Sequence, residues 1–248
     1  MRISTIEYFG LLALVFRVIM DPKKSKGSNA KMKTWLSEGP FVEAYILPSK
    51  VVRQAVATGE FKAFKGMKKE LEEKSCSKQC AHYHANYKAR GVPKCYVNPL
   101  YQTRGILDKV AREGALEYEV SDFTLRMSAF GDVSRLNAKG RARVFELLTH
   151  AKVRLAYTAG WREQKMKVFR FHMQASCSSV EEALEATRLG WSPFLSGEEG
   201  DRLELARALN HQKVFACPPK AMDPKSPIGC SNCPVGCNGE RVIYVQNH

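Results

Sequence analysis

The sequence predicts an α/β protein with a parallel sheet of βα units, arranged as a partial or complete βα barrel that carries cysteine-rich metal-binding loops. Three observations support this fold class. After residue 98, short apolar segments alternate with segments of helical spacing, which is typical of right-handed βαβ units. The 248 residues can bury a large core without disulfides. Seven of the eight cysteines fall in two groups, which indicates metal binding in a reducing cytosol.

Residues 1–40 are predicted to form an N-terminal region outside the main domain, with an apolar helix over 6–20 and a basic Gly/Ser linker over 23–33. Two charged residues interrupt the apolar segment, and a bilayer span takes roughly 20 apolar residues. No transmembrane span or signal peptide is therefore expected. Two alternatives stay open: the segment docks as a helix, with a weak membrane-surface anchor as a variant, or translation begins at Met20.

Residues 41–248 are predicted to form a single α/β domain in which strands and helices alternate. Strands are expected over the short apolar segments 41–47, 123–130, 153–158, 168–175, 191–195 and 214–216, of which the first two end at Pro48 and at Gly131-Asp132. Helices are expected from their apolar spacing over residues 50–74, 98–112, 137–150, 180–189 and 201–209. Ser179 and Glu182 have the spacing of a capping box at the start of the fourth helix.

The C-terminal segment 217–237 predicts a closed four-cysteine metal site. Twelve, two and three residues separate its four thiols, which are Cys217, Cys230, Cys233 and Cys237. A Cys-x-x-Cys loop lets two sulfurs face one ion, and nearby glycines let the backbone curl round it. Tetrahedral sulfur ligation suits both zinc and iron–sulfur clusters, so the spacing leaves the metal open.

A second group, Cys76, Cys80 and Cys95, supplies three thiols without an obvious fourth ligand. An open coordination position distinguishes a reactive metal site from a structural one. His82, His84 or the distant Cys177 could close the site, and it would then be structural. Both alternatives stay open, and so does the alternative that Cys177 is a small buried hydrophobe beside a strand end.

Four polar residues at predicted strand ends are the candidate catalytic residues. In βα folds the ligand site lies at the carboxyl ends of the strands, so Asp132, Tyr157, Thr158 and Ser176 are expected to meet there. Asp132 is the candidate for proton transfer or substrate binding, and the other three are candidate hydrogen-bonding groups. The alternative is that Asp132 caps a helix that follows the strand.

The formal net charge of +14 favours a polyanionic partner, either nucleic acid or a nucleotide, because lysine and arginine release counterions from phosphates. A charge that serves solubility alone is the alternative. The sequence has no Gly-x-Ser-x-Gly and no Gly-x-x-x-x-Gly-Lys-Ser/Thr motif, which excludes the common serine hydrolase and P-loop classes.

The order of these motifs resembles a family of uncharacterised cysteine-rich proteins from phages and mobile elements. The matching pieces are Cys76, Cys80 and Cys95-Tyr96, then Gly131-Asp132, Tyr157-Thr158, Ala175-Ser176, Cys217-Pro218, Cys230, Cys233 and Cys237. This resemblance implies a phage-type protein in the cytoplasm of a bacterial host. More distantly, the layout is similar to radical S-adenosylmethionine enzymes, where three loop cysteines hold a [4Fe–4S] cluster. That superfamily has its third cysteine at the position of Tyr83, a departure that weakens the case for S-adenosylmethionine more than for a cluster.

Three functional hypotheses follow. The first is an iron–sulfur enzyme of redox or radical type that acts on nucleic acid or a nucleotide, with its cluster on Cys76, Cys80 and Cys95. The second is a nucleic-acid-binding protein in which zinc holds both cysteine groups, without catalysis. The third is a protein that binds a host protein and performs no turnover.

Overall fold

The fold is built on one large sheet, seen in a computed structural model that describes residues 1–21, 39–64, 66–81, 83, 86, 99–210, 214–217, 239 and 241–246. The strands are β1 (Arg2–Ser4), β2 (Ile6–Phe9), β3 (Leu12–Ile19), β4 (Phe41–Pro48), β5 (Glu117–Glu119), β6 (Thr124–Phe130), β7 (Val153–Thr158), β8 (Gln174–Cys177), β9 (Pro193–Gly197), β10 (Phe215–Ala216) and β11 (Ile243–Gln246). The helices are α1 (Ser49–Thr58), α2 (Met67–Ser75), α3 (Pro99–Glu113), α4 (Ala138–His150), α5 (Val180–Arg188) and α6 (Glu199–Ala208).

Within the described ranges nine strands form the large sheet, in the order β10-β11-β9-β8-β7-β6-β4-β3-β2. Every neighbouring pair from β4 to β10 is parallel, whereas β3 is antiparallel to both β4 and β2. Strands β1 and β5 form a separate antiparallel pair. The predicted α/β class with a parallel sheet is therefore confirmed. No pairing joins β2 to β10 in the described part of the chain, so the closed form of the barrel is not found there.

The core is divided between the two faces of the sheet. Alternate residues of β3 show this, because Leu14 and Phe16 belong to one apolar cluster and Ala13 and Val15 to another. The first cluster includes residues of α4, α5 and α6. The second includes residues of α1, α2 and α3. The sheet therefore separates two groups of helices, with α1 to α3 on one face and α4 to α6 on the other.

The predicted N-terminal helix is wrong, because the apolar segment over residues 6–20 forms the hairpin of β2 and β3. Gly10 has a φ of +75° between the two strands, a value that suits glycine. Because both faces of β3 are buried, its sequence is a continuous apolar run without the alternation that identifies a strand. Strands β2 and β3 therefore belong to the same sheet as β4. None of the described helices has the length and apolar character needed to cross a bilayer.

Most of the other predicted elements are confirmed, with three corrections. The long helix expected over 50–74 is interrupted at Gly59, whose φ of +69° ends α1. The strand expected over 168–175 begins only at Gln174, because residues Gln164–Phe169 form a 3₁₀ helix that buries Met166 and Phe169. Strands β1, β5 and β11, of three or four residues each, were not predicted.

Candidate functional site

Parallel strands bring their carboxyl ends together, and this carboxyl edge carries most of the predicted site residues. Asp132 follows β6, Thr158 ends β7, Cys177 ends β8 and Cys217 follows β10. The backbone N–H of Cys217 donates to the carbonyl of Tyr244 on β11, at 2.7 Å, which continues the ladder by one residue. These four residues therefore lie at one edge of the sheet, as predicted for Asp132 and Thr158.

The turn with Cys76 and Cys80 is attached to the same edge through the end of β6. Helix α2 ends at Ser75, whose carbonyl accepts a 2.8 Å hydrogen bond from the backbone N–H of Asp132. Arg135, one turn further on, donates to the carbonyls of Glu73 and Lys74 at 3.3 and 3.4 Å. Backbone contacts therefore hold the first cysteines beside Asp132, although more than fifty residues of chain lie between them.

Gly131 makes this close approach possible. A Cβ atom there would lie 2.7 Å from both the Cβ and the carbonyl oxygen of Ile46, and 3.2 Å from the carbonyl oxygen of Ser75. The φ of Gly131 is +85°, which side chains rarely adopt. The Gly131-Asp132 pair therefore serves both the turn after β6 and the placement of the cysteine turn.

Within the cysteine turn, local hydrogen bonds hold the described residues Cys76, Cys80 and Asn86. The N–H of Cys76 donates to Glu72, and the N–H of Cys80 donates to Ser77 at 3.2 Å. The side-chain amide of Asn86 donates to the carbonyls of Lys78 and Cys80, at 2.7 and 2.9 Å. Both cysteines are half-buried. Two half-buried thiols in one ordered turn fit the donor chemistry of a sulfur-ligated metal.

The carboxylate of Asp132 is a buried acceptor of three hydrogen bonds. Its Oδ1 accepts from the backbone N–H of Ser134 and from the hydroxyl of Thr158, both at 2.9 Å. Its Oδ2 accepts from the N–H of Ala159 at 2.7 Å. Asp132 thereby caps the 3₁₀ helix Val133–Arg135 and ties the ends of β6 and β7 together. This geometry favours the capping alternative, and the catalytic role stays a prediction.

Tyr157 and Ser176 lie one residue before the ends of their strands, and both are half-buried. The ring of Tyr157 contacts that of Phe194 on β9, with a centroid separation of 4.4 Å. The carbonyl of Ser176 accepts a 3.2 Å hydrogen bond from the indole N–H of Trp161, which lies in the loop after β7. The guanidinium of Arg162 covers that indole at 3.9 Å. The loop after β7 is thus fixed onto β8.

Cys177 belongs to the core instead of the cysteine turn. It is 3% exposed, lies within the first apolar cluster and donates its thiol hydrogen to the carbonyl of Ala175 at 3.4 Å. Burial raises the pKa of its thiol, and the charge of Glu182 raises that pKa further, against the opposing effect of Arg162. The neutral thiol is therefore favoured. This placement supports the buried-hydrophobe alternative over the role of fourth ligand.

The remaining predicted metal ligands lie outside the described residues: Cys95, Cys230, Cys233 and Cys237, with His82 and His84. Among the residues that the structure describes, no three His, Cys, Asp or Glu side chains are arranged to hold a metal ion. The described members that fit sulfur ligation by exposure and position are Cys76, Cys80 and Cys217.

No protein-family model matches this chain, and no curated protein or solved structure shows significant similarity to it. The site itself is therefore the basis for the inference of function.

A buried charged cluster lies on β3, β4 and β6 and was not predicted from the sequence. The carboxylate of Glu43, whose side chain is 2% exposed, accepts from Arg126 and from the hydroxyl of Tyr45, both at 2.9 Å, and forms an ion pair with Arg17. Burial and the adjacent Glu43 charge raise the pKa of Tyr45. Glu43 is the sequence signal that could have predicted this cluster, because it is a single glutamate inside an otherwise apolar strand and a buried charge requires partners.

Proposed function

We propose that this protein is an iron–sulfur enzyme of redox or radical type, with its site at the carboxyl edge and a nucleic acid or nucleotide as substrate. One observation carries the proposal. The turn with Cys76 and Cys80 lies against the end of β6, and Cys217 extends the end of β10, so two distant cysteine groups begin at the edge where βα folds hold their ligands.

The two groups are proposed to be separate metal sites. Strands β6 and β10 are five positions apart in the sheet. At about 4.8 Å per strand, that is up to about 24 Å along the edge, too far for one cluster. Cys76 and Cys80, with Cys95, would hold the reactive centre. Cys217, with Cys230, Cys233 and Cys237, would hold a closed structural or auxiliary site.

A cluster at the first site would supply one-electron transfer to the substrate or to a bound cofactor. The chain's own residues have two roles beside it. Asp132 and Thr158 hold the ends of β6 and β7 in place, since their polar atoms bond to each other and to the backbone. Tyr157 and Ser176 are half-buried on the neighbouring strands, and we propose that they contact the substrate.

The substrate class follows from charge. The chain carries 39 Lys and Arg against 25 Asp and Glu. Several described arginines are neutralised by carboxylates, as in the pairs of Arg143 with Glu7 and of Arg162 with Glu185. The excess of 14 positive charges remains to attract phosphates, with an affinity that falls steeply with added salt.

The test is metal analysis of the full chain, purified without oxygen, together with its visible spectrum. Iron and inorganic sulfide at about four per chain or more, with a brown colour, support the proposal. Cys76→Ala and Cys80→Ala should each lose the iron of the first site. Cys177→Ala is the matched control, because that thiol lies in the core and its removal should leave the metal content unchanged. Reductive cleavage of S-adenosylmethionine would then identify radical chemistry.

Colourless protein with about two zinc ions per chain would refute the iron–sulfur proposal. Salt-sensitive nucleic-acid binding by that zinc protein would support a zinc-stabilised binding protein instead. A tight complex with a host protein, without nucleic-acid affinity, would support a host-interaction protein.

A further inference from the structure

A surface of basic and exposed apolar side chains lies beside the amino ends of β8 and β9, at the edge of the sheet opposite Cys76 and Cys80. This basic-aromatic patch consists of Lys167, Val168, Arg170, Phe171, Arg188 and Leu189. Residues 167–171 precede β8 and residues 188–189 precede β9. Because β8 and β9 are parallel neighbours, the segments that lead into them reach the same edge of the sheet.

The first segment of the patch is turned outward by the 3₁₀ helix Gln164–Phe169. Residues three apart share one face of a 3₁₀ helix, and here the face with Met166 and Phe169 is buried in the first apolar cluster. Lys167 and Val168 therefore lie on the exposed side. Val168 is 63% exposed, and Phe171, two residues beyond the helix, is 61% exposed. Exposed apolar groups that are clustered and bordered by charges mark interaction sites.

Arg170 connects this segment to the end of α5. Its guanidinium lies over the ring of Phe171, at 4.7 Å from the ring centroid. It also lies beside Gly190, because a Cβ atom there would be 3.5 Å from Nη1 of Arg170. Leu189, the residue before Gly190, is 46% exposed. The patch is therefore one continuous surface, in which a cation covers one face of an exposed aromatic ring.

The positive charge of the patch is not neutralised by ion pairs in the described part of the chain. Glu163, the carboxylate nearest in sequence to Lys167, pairs with Lys165 at 2.8 Å. Glu185, the one nearest to Arg188, pairs with Arg162 at 2.7 Å. These carboxylates are thus engaged by other cations, and three cations of the patch have no ion pair among the described residues: Lys167, Arg170 and Arg188. Such a surface fits an anion that also offers a flat apolar group.

We infer that the basic-aromatic patch binds single-stranded nucleic acid. A base would stack on the face of Phe171 that Arg170 leaves uncovered, because every base has a π-face. The three cations would contact phosphates of the same strand. A single strand fits better than a duplex, whose bases are stacked on each other and cannot reach a surface aromatic. This inference rests on the nucleic-acid partner of the proposed function, and it is independent of which metal the cysteines hold.

The experiment is a fluorescence anisotropy titration of the full chain with a fluorescein-labelled oligodeoxythymidine of about 12 nucleotides. Phe171→Tyr keeps the ring and should bind within about twofold of the wild type. Phe171→Leu keeps apolar volume without a ring and should lose at least about fivefold, which is the low end of the loss when one stacked base loses its aromatic partner. Equal affinities for these two variants, each shown by circular dichroism to be folded, would overturn the inference.

Phe64→Leu is the matched control for the aromatic substitution. Phe64 is 40% exposed and lies between α1 and α2, away from the patch. Its replacement should leave the affinity for the oligonucleotide unchanged. A loss equal to that of Phe171→Leu would mean that any exposed ring contributes, and it would refute a binding surface at Phe171.

The salt dependence of the same titration tests the phosphate contacts. Each phosphate that a cation neutralises on a single strand adds about 0.7 to the slope of the logarithm of affinity against the logarithm of salt concentration. The triple variant Lys167→Gln/Arg170→Gln/Arg188→Gln should therefore reduce that slope by about 2. Lys50→Gln/Lys68→Gln/Arg112→Gln removes the same charge from exposed positions on α1, α2 and α3, and should leave the slope unchanged. Equal slopes for the two triple variants would refute the inference, since general attraction to the net charge would explain them.

Two further measurements separate this inference from the alternatives. Binding to phosphatidylserine vesicles that depends on Phe171, without binding to the oligonucleotide, would refute it in favour of a lipid surface. Metal analysis reports separately on the proposed enzyme. Zinc protein whose oligonucleotide affinity depends on Phe171 would keep this inference and refute the iron–sulfur proposal, whereas iron protein whose affinity is unchanged by every patch variant would do the reverse.

Discussion

Replacing Asp132 by alanine should cost a large part of the stability of this protein. The substitution leaves three donors at a buried position without their acceptor: the N–H groups of Ser134 and Ala159 and the hydroxyl of Thr158. Each buried donor that loses its partner costs about 1–3 kcal/mol, so the loss of three partners should lower the free energy of unfolding by about 3–9 kcal/mol. A domain has only about 5–15 kcal/mol in total.

Two milder variants measure separate parts of this loss in unfolding free energy. Asp132→Asn keeps one oxygen for Ser134 and Thr158, but its amide NH₂ would face the N–H of Ala159, for a loss of about 2 kcal/mol. Thr158→Val removes one donor to the carboxylate and also the acceptor of the Gly160 N–H, for a loss of about 1–2 kcal/mol. The double variant Asp132→Ala/Thr158→Val should lose less than the sum of its two single variants, because both changes remove the hydrogen bond between Thr158 and Asp132.

The assay is urea unfolding at pH 7, followed by far-ultraviolet circular dichroism, with equal slopes required before free energies are compared. A change below about 0.5 kcal/mol for Asp132→Ala would refute the positioning role, since surface substitutions typically fall in that range. Asp132 would then be available for the catalytic role that its place at a strand end predicts.

Three further substitutions test other parts of the structure. Gly131→Ala should destabilise the fold by about 2 kcal/mol more than Gly59→Ala in urea unfolding, because both glycines have positive φ but only Gly131 is crowded by its neighbours. Glu43→Gln should cost about 2–3 kcal/mol in the same assay, because it leaves two arginines without their buried carboxylate. Burial and the adjacent Arg154 lower the pKa of His172, whose Nδ1 accepts from that arginine at 2.9 Å. The unfolded chain therefore binds more protons near its ordinary pKa of about 6.5, stability should fall as the pH drops below that value, and His172→Gln should remove this part of the thermal unfolding profile.

Each of these has a result that would contradict it. Equal losses for the two glycine variants would mean that backbone conformation alone matters at Gly131. An unchanged midpoint for Glu43→Gln would mean that the desolvation of the ion pairs cancels their attraction. A pH profile that is identical for wild type and His172→Gln would place the responsible proton elsewhere.

Local sequence signals were sufficient to predict helices whose first residue is fixed by a capping side chain. Ser179 accepts from the N–H of Glu182 at the start of α5, as predicted, and Asn137 accepts in the same way from the N–H of Gly140 at the start of α4. The reciprocal bond of the capping box differs by one residue, since the carboxylate of Glu182 accepts from the N–H of Ser178. Such contacts span only a few residues, so the sequence contains them in full.

Predictions from the sequence were wrong where the pattern of apolar residues did not show the period of the element that formed. Strand β3 is covered on both faces, so its apolar run over residues 12–19 lacks alternation and was predicted as part of a helix. The strand predicted over residues 168–175 overlaps the 3₁₀ helix Gln164–Phe169, and its first residues include the exposed Val168 and Phe171. Neither outcome could be decided without knowing which neighbours cover each segment.

The cysteine spacing and the polar residues at the strand ends can be read from the sequence, because both are properties of single loops. Which of these residues meet depends on the tertiary structure. The bond from Asp132 to Ser75, the placement of Cys177 in the core and the contact of Tyr157 with Phe194 across β8 depend on the order and register of the strands. Strand order and register depend on the burial of the whole sheet, to which residues far apart in the chain contribute. No short motif is therefore sufficient to predict them.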